Sequence, residues 1–193
     1  MVVRASNTRS NTRTDKPTHS VGVPWQASVG VPLICGGPGL ATGKVIKAPV
    51  GTVDLAATFL DYAGAKVPAG MTSTSMRSLL DAHAPSPKPR AFVKSGLKTW
   101  RMVVQTDPVD GKSYKLICCK GKCPESPSTA PGPTDGYTTM LVCVDDDPYD
   151  MKDLSKMQGD PRRIVQRMMP LLPTDFSSGC NKSFYNNMLK YEY

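Results

Sequence analysis

The chain has 193 residues, a mass of 20.8 kDa and a formal net charge of +8, which is length enough for a packed core without covalent staples. Its 18 Pro and 16 Gly follow no G-X-Y period and form no long low-complexity tract, so collagen and wholesale disorder are excluded. No apolar run approaches the ~18 residues that would cross a bilayer, and no charged-then-apolar start resembles a secretion signal.

The first twenty residues are rich in Ser, Thr, Asn and Arg with no apolar periodicity, and read as a disordered leader (1–20). That composition also suits a transit peptide, without a convincing amphipathic face. The leader carries Arg4, Arg9, Arg13 and Lys16 against Asp15, and the remaining charge is spread thinly, with short clusters at 112–122 and 162–167. No basic stripe is interleaved with aromatics, so no nucleic-acid partner is expected.

From Trp25 the pattern changes. Val29 to Cys35 is a nearly continuous apolar run stopped by Gly36-Gly37-Pro38-Gly39, the pattern of a strand buried on both faces of a parallel sheet. Val53, Ala56, Leu60 and Ala63, with Phe59 alongside, recur at helical steps. They predict an amphipathic helix with Thr52 as N-cap and Gly64 as its stop. Met71 to Ala82 predicts a second short helix, with Met76, Leu79 and Leu80 apolar.

Prolines 85, 87 and 89 then mark a linker (85–90), because each removes a donor and extends its predecessor. Strand-like segments follow at 91–95, 101–106, 114–119 and 139–144. Asp110-Gly111 and the Pro/Ser/Gly-rich stretch 124–136 separate them, which predicts a small antiparallel sheet. A last helix is expected over 161–169, with Pro161 in its first turn, and a tail over 173–193. The organisation expected is an α/β piece at 21–84 and an antiparallel piece at 91–172.

Several motifs invite chemistry and fall short of it. Gly39-Leu40-Ala41-Thr42-Gly43-Lys44 lacks the phosphate-loop spacing, and Val45 stands where a magnesium-holding hydroxyl belongs. Cys118, Cys119 and Cys123 crowd one turn and would need Cys143 as a fourth zinc ligand, without knuckle spacing. Disulfide or free thiol is the better reading for these four, with Cys143 bridged to a turn cysteine if exported and a small core residue if not. Asp145-Asp146-Asp147 lacks the Gly and terminal Glu of a calcium loop. The two histidines, His19 and His83, complete no catalytic triad. Asn181-Lys182-Ser183 fits a glycosylation sequon.

Taken in order, the landmarks over about residues 20–172 resemble the C-terminal third of the formylglycine-dependent sulfatases, arylsulfatase-like proteins of the alkaline-phosphatase-type superfamily. The resemblance rests on Pro24-Trp25-Gln26-Ala27-Ser28, on Val31-Pro32-Leu33-Ile34-Cys35 before Gly37-Pro38-Gly39, and on the helix Val53 to Gly64. Val67-Pro68 and Ser75 to Leu80 follow as in the family. Arg101-Met102-Val103-Val104, Tyr114-Lys115-Leu116-Ile117 and Leu141-Val142-Cys143-Val144, with Asp147-Pro148 and Asp153-Leu154, are similar to its small C-terminal sheet. The fold implied is α/β: the last strand and helices of a sulfatase-type α/β domain, then a small antiparallel sheet with a C-terminal helix.

The resemblance implies hydrolysis of sulfate esters or sulfated polysaccharides by a complete member. There a cysteine-derived formylglycine attacks sulfur and a calcium or magnesium ion polarises the sulfate. This chain holds no Cys-x-Pro-Ser-Arg or Ser-x-Pro-Ser-Arg run, and Cys123-Pro124-Glu125-Ser126 has the wrong spacing. The family's active-site Lys position falls on Val21. Asp15 occupies the Asp position of the preceding turn, Lys16 replaces its His, and His19 is a weak substitute. No catalytic or metal residue and no bound cofactor are therefore expected here, and the chain is expected to be a fragment, inactive alone. The alternative is a non-catalytic basic module that binds polyanions such as sulfated glycans. Family members are usually secreted or lysosomal; oligomeric state is left open.

Overall fold

The computed structural model describes residues 2–3, 22–84, 89–124, 136–157 and 159–188. Nearly all of the expected leader, including His19 and Val21, lies outside them, as do 85–88 and 125–135. The described residues form two compact units, one of 31–93 with Val2–Val3 and one of 22–30 with 94–188.

The second unit is built on a four-stranded sheet in the order β3 (Val93–Leu97), β4 (Trp100–Thr106), β5 (Ser113–Lys120), β6 (Tyr137–Cys143). The β4–β5 and β5–β6 pairs are antiparallel, with Met102 opposite Ile117 and Ile117 opposite Met140. The four strands expected from alternation are all present, each within two residues of the expected start. Because side chains alternate across a strand, β5 feeds two different layers. Ile117 and Cys119 join Trp100, Met102 and Met140 in a cluster with Val23 and Trp25. Cys118, one residue away, faces the C-terminal helices, where it is bonded to Cys180. Every residue of β5 from Ser113 to Cys119 is buried.

Residues 22–30, expected to belong with the first piece, instead cover this sheet. The Trp25 indole donates to the Pro124 carbonyl at 2.8 Å and the Trp100 indole to the Gly22 carbonyl at 2.8 Å. The one-turn helix α1 (Gln26–Val29) takes up the head of the apolar run.

The opposite face of the sheet packs on α4 (Asp160–Met168), a 3-10 turn (Met169–Leu171) and α5 (Thr174–Met188). Helix α4 matches the expected last helix, with Pro161 in its first turn and Ile164, Val165 and Met168 buried. The expected tail is a correction: most of it is α5, the longest helix described. Its composition is poor in helix formers, so tertiary contact carries it. Phe176, Cys180 and Phe184, at steps of four, are all buried. Gly179 lets the Tyr137 ring approach so closely that a Cβ there would overlap it.

In the first unit, α2 (Asp54–Tyr62) appears where the period predicts it and stops at Gly64, whose φ is +69°. Thr52 is not its cap; the N-cap is Val53, and the Asp54 carboxylate accepts the Gly51 N–H at 3.0 Å. The second helix shrinks to α3 (Arg77–Leu80), since 71–76 has no regular structure and is hydrogen-bonded to α2. A small core of Ile46, Met76, Leu79 and Leu80 is flanked by half-buried Leu33 and Leu55.

The expected doubly buried strand is also corrected. It reduces to β2 (Leu33–Ile34), paired antiparallel with β1 (Val2–Val3), and Ile34 and Val31 are 69% and 54% exposed. Pro32 brings no donor to a ladder, and no parallel neighbour is present among the described residues. No helix among them is long and apolar enough to cross a membrane.

Candidate functional site

The strongest concentration of buried charge lies under residues 22–26. Lys115, at mid-β5, and Asp150 are 0% and 1% exposed and meet at 2.5 Å. The same Asp150 Oδ2 accepts the Gln26 N–H at 2.5 Å, and Lys115 Nζ also donates to Gln26 Oε1 at 3.2 Å and the Pro24 carbonyl at 3.4 Å. Asp150 Oδ1 has no hydrogen-bond partner among the described atoms. Burial pulls the Lys115 ammonium below its ordinary range, partly offset by Asp150.

Asp150 has φ +58°, a left-handed conformation that Asp tolerates better than most residues. Desolvating both charges costs several kcal/mol per ion, so the pair is a lock and not a surplus of stability. It ties residues 24–26 to the sheet and to the loop after β6. Neither side chain reaches solvent.

A second centre joins the end of β4 to α4. Asp107, fully buried, accepts from Arg163 Nη2 at 2.7 Å and Arg167 Nη1 at 2.8 Å, and Arg167 Nε donates to Gln105 at 3.1 Å. Burial alone would raise the Asp107 carboxyl. Hydrogen bonds from Arg163, the Val109 N–H and Arg167 overcome it and lower the pKa to about 2. Both arginines also reach solvent, and through Asp107 they join α4 to the end of β4.

The cysteines pair locally and at long range. Cys119 is bonded to Cys123 and Cys118 to Cys180, while Cys143 is a buried thiol and Cys35 a half-exposed one. Burial pushes the Cys143 thiol above its ordinary range. With Cys118, Cys119 and Cys123 all in disulfides, no thiolate set for zinc exists. Cys180 is the partner that the crowded turn did not suggest; its spacing of four from Phe176 and Phe184 is the signal that puts it on a packed helix face.

The other motifs resolve into structure. Asp145 accepts the Ser113 N–H, Asp146 the Lys112 ammonium, and Asp147 the backbone N–H groups of Tyr149 and Lys152. Lys44 Nζ donates to the Leu79 carbonyl at 3.1 Å, which ties the glycine loop to α3. Exposed His83 donates its backbone N–H to Asp81. Asn181 is exposed on α5 beside a cavity of about 290 Å³ that Gln166, Met169, Pro170, Ser177 and Ser178 also line. The two serine hydroxyls there donate to the Thr174 carbonyl, and no titratable side chain lines the space. Among the described residues no three His, Cys, Asp or Glu side chains converge to hold a metal ion.

Mixed α/β architecture with a four-stranded antiparallel sheet and C-terminal helices is that of a sulfatase C-terminal domain. A family model described as N-sulphoglucosamine sulphohydrolase, C-terminal, matches residues 23–125, more than half of the chain. The chain belongs to this family. The match begins at Val23, in the segment that the Lys115–Asp150 pair secures, and runs through the first unit and β3 to β5.

Proposed function

We propose that this chain supplies the C-terminal, structural portion of a sulfatase and does not by itself hydrolyse sulfate esters. One observation carries the reading: the family match is to a C-terminal region. It is supported by the lack of a Cys-x-Pro-Ser-Arg or Ser-x-Pro-Ser-Arg run to provide the nucleophile in this sequence. The buried charges support it, since Lys115, Asp150 and Asp107 are all engaged in joining segments. In a complete member a calcium or magnesium ion would supply Lewis-acid stabilisation of the sulfate oxygens; nothing here is assigned to hold it. Two disulfides support residence in an oxidising compartment. The test is turnover of an aryl sulfate by the purified 193-residue chain with calcium or magnesium added. No release above the uncatalysed rate is expected, and metal-dependent turnover overturns the reading.

A second reading, a surface that holds polyanions such as sulfated glycans, has one observation in its favour. Lys98, Arg101, Lys120 and Lys122 gather at one end of the sheet, where the Lys120 N–H donates to the Thr99 carbonyl at 2.7 Å. Arg101 and Lys120 lie 4.6 and 4.9 Å from the Phe176 ring centre. Retention on a heparin column that falls steeply with salt supports it; retention equal to a neutral matrix removes it.

A further inference from the structure

Asn181-Lys182-Ser183 is the sole Asn-x-Ser or Asn-x-Thr triplet in the sequence, and the amide of such an Asn accepts an oligosaccharide in a secretory compartment. The triplet lies on α5, whose inner face is held by Phe176, Cys180 and Phe184. Asn181 stands one position from buried Cys180, about 100° further round the helix, and it is exposed.

Exposure alone would serve any surface Asn; the wall to which Asn181 belongs singles it out. It lines the cavity of about 290 Å³ between α4, the 3-10 turn and α5. Met169 and exposed Pro170 give this space an apolar patch, and Gln166, Ser177 and Ser178 give it amide and hydroxyl groups. The two serine hydroxyls donate to the Thr174 carbonyl at 3.3 and 2.8 Å, so their oxygens keep lone pairs with which to accept. An uncharged wall of this kind suits a neutral pyranose, which has a C–H face and a rim of hydroxyls. A carboxylate or phosphate finds no cation there. The volume falls below the roughly 300–1,000 Å³ of sites that enclose a drug-sized ligand, which leaves room for one ring.

We propose that Asn181 carries an N-linked glycan whose first N-acetylhexosamine sits in this cavity. The proposal rests on residence in an oxidising compartment, which the two disulfides support. The donor is a polyprenyl-diphosphate oligosaccharide. Asn181 Nδ2 loses a proton and bonds to the sugar C1, while the C1–O bond breaks and its electron pair leaves with the diphosphate. Positions two apart on a helix lie about 200° apart around its axis. A transferase that reads positions 181 and 183 together therefore meets them before α5 forms, and before Cys180 closes on Cys118. The poor helix formers of α5 favour that order, since the helix waits for the sheet that receives it.

The test secretes the full 193-residue chain from eukaryotic cells behind a cleavable signal and reads its mass before and after peptide-N-glycosidase. One removable oligosaccharide is expected, absent from Asn181→Gln and Ser183→Ala and kept in Ser183→Thr. No removable mass, or one that survives Asn181→Gln, overturns the proposal. The seat is read on glycoprotein trimmed to its first sugar, against the same chain made sugar-free in a bacterial periplasm. The trimmed form should melt about 2–4 °C higher, and Gln166→Arg, which fills the cavity, should abolish that difference with the glycan still attached. Equal melting points for the two wild-type forms overturn the seat. Both bridges formed without a glycan overturn the site and leave the compartment reading standing; a glycan on a chain that lacks the bridges does the reverse.

Discussion

Helices α2 and α5 reverse the usual relation between a sequence pattern and its burial. Helix α2 has a readable apolar stripe, and Val53, Ala56, Phe59 and Ala63 of that stripe face out. Helix α5, rich in Ser, Asn and Gly, reads as a tail, yet it buries Phe176, Cys180 and Phe184 and is bonded to β5. Periodicity reports that a stripe exists; what lies across from it decides whether the stripe is buried. In the sheet unit the opposing surface is present. In the first unit α2 meets a hydrogen-bonded loop, 72–76, that holds Asp54, Thr58 and Asp61 toward itself, with Ala57 buried between them.

The comparison breaks most directly at the α5 anchor. Cys118→Ala with Cys180→Ala removes a bridge that closes a separation of 62 residues and should lower stability by about 4 kcal/mol on loop entropy. Urea unfolding with midpoint and slope both fitted measures it, and an unchanged stability would mean that α5 is held without covalent help. Phe176→Ala leaves a cavity between α5 and the sheet and removes the ring under Arg101 and Lys120. A loss of about 3 kcal/mol is expected by the same measurement.

Asp107→Asn should cost about 1–2 kcal/mol near neutral pH, because two charge-assisted bonds are weakened while both arginines still reach water. The sign with pH is definite. A carboxyl depressed to about 2 from an ordinary value near 3.8 stabilises the fold fully above that ordinary value. The contribution is lost as pH falls through the folded value. Acid unfolding of wild type between about pH 4 and 2 should therefore include a component that the variant lacks, and parallel pH profiles would show that Asp107 is not its source. The smallest effect belongs to α2: Phe59→Ala should change the isolated chain's stability by less than about 0.5 kcal/mol. A loss comparable to Phe176→Ala would mean that the α2 face is covered within this chain.

The sheet was legible because β4, β5 and β6 alternate or run apolar and their turns are marked by Asp-Gly and Pro-rich segments. Helix α4 was legible through Pro161 and the apolar triplet Ile164, Val165 and Met168. The joints were not. Lys115 sits in a strand where a lysine normally points to water, and its partner Asp150 lies 35 positions away in a loop with no periodic signal. Asp107 likewise follows a strand end, and its arginines are 56 and 60 residues distant. That this sequence carries no Cys-x-Pro-Ser-Arg or Ser-x-Pro-Ser-Arg run was legible directly, because a contiguous motif needs no tertiary inference.

Two neighbouring cysteines on β5 carry one last consequence. Cys118 and Cys119 point to opposite sides of the sheet, and each is tied to a different layer, α5 on one side and Cys123 in the turn on the other. A strand displaced by a single residue exchanges its two sides, which would aim each sulfur at the other's partner. The adjacent pair thus works as a parity check on β5. Oxidation to the two observed bridges is compatible with one alignment of that strand, and a mis-set alignment would be trapped as a distinct disulfide isomer that peptide mapping can separate.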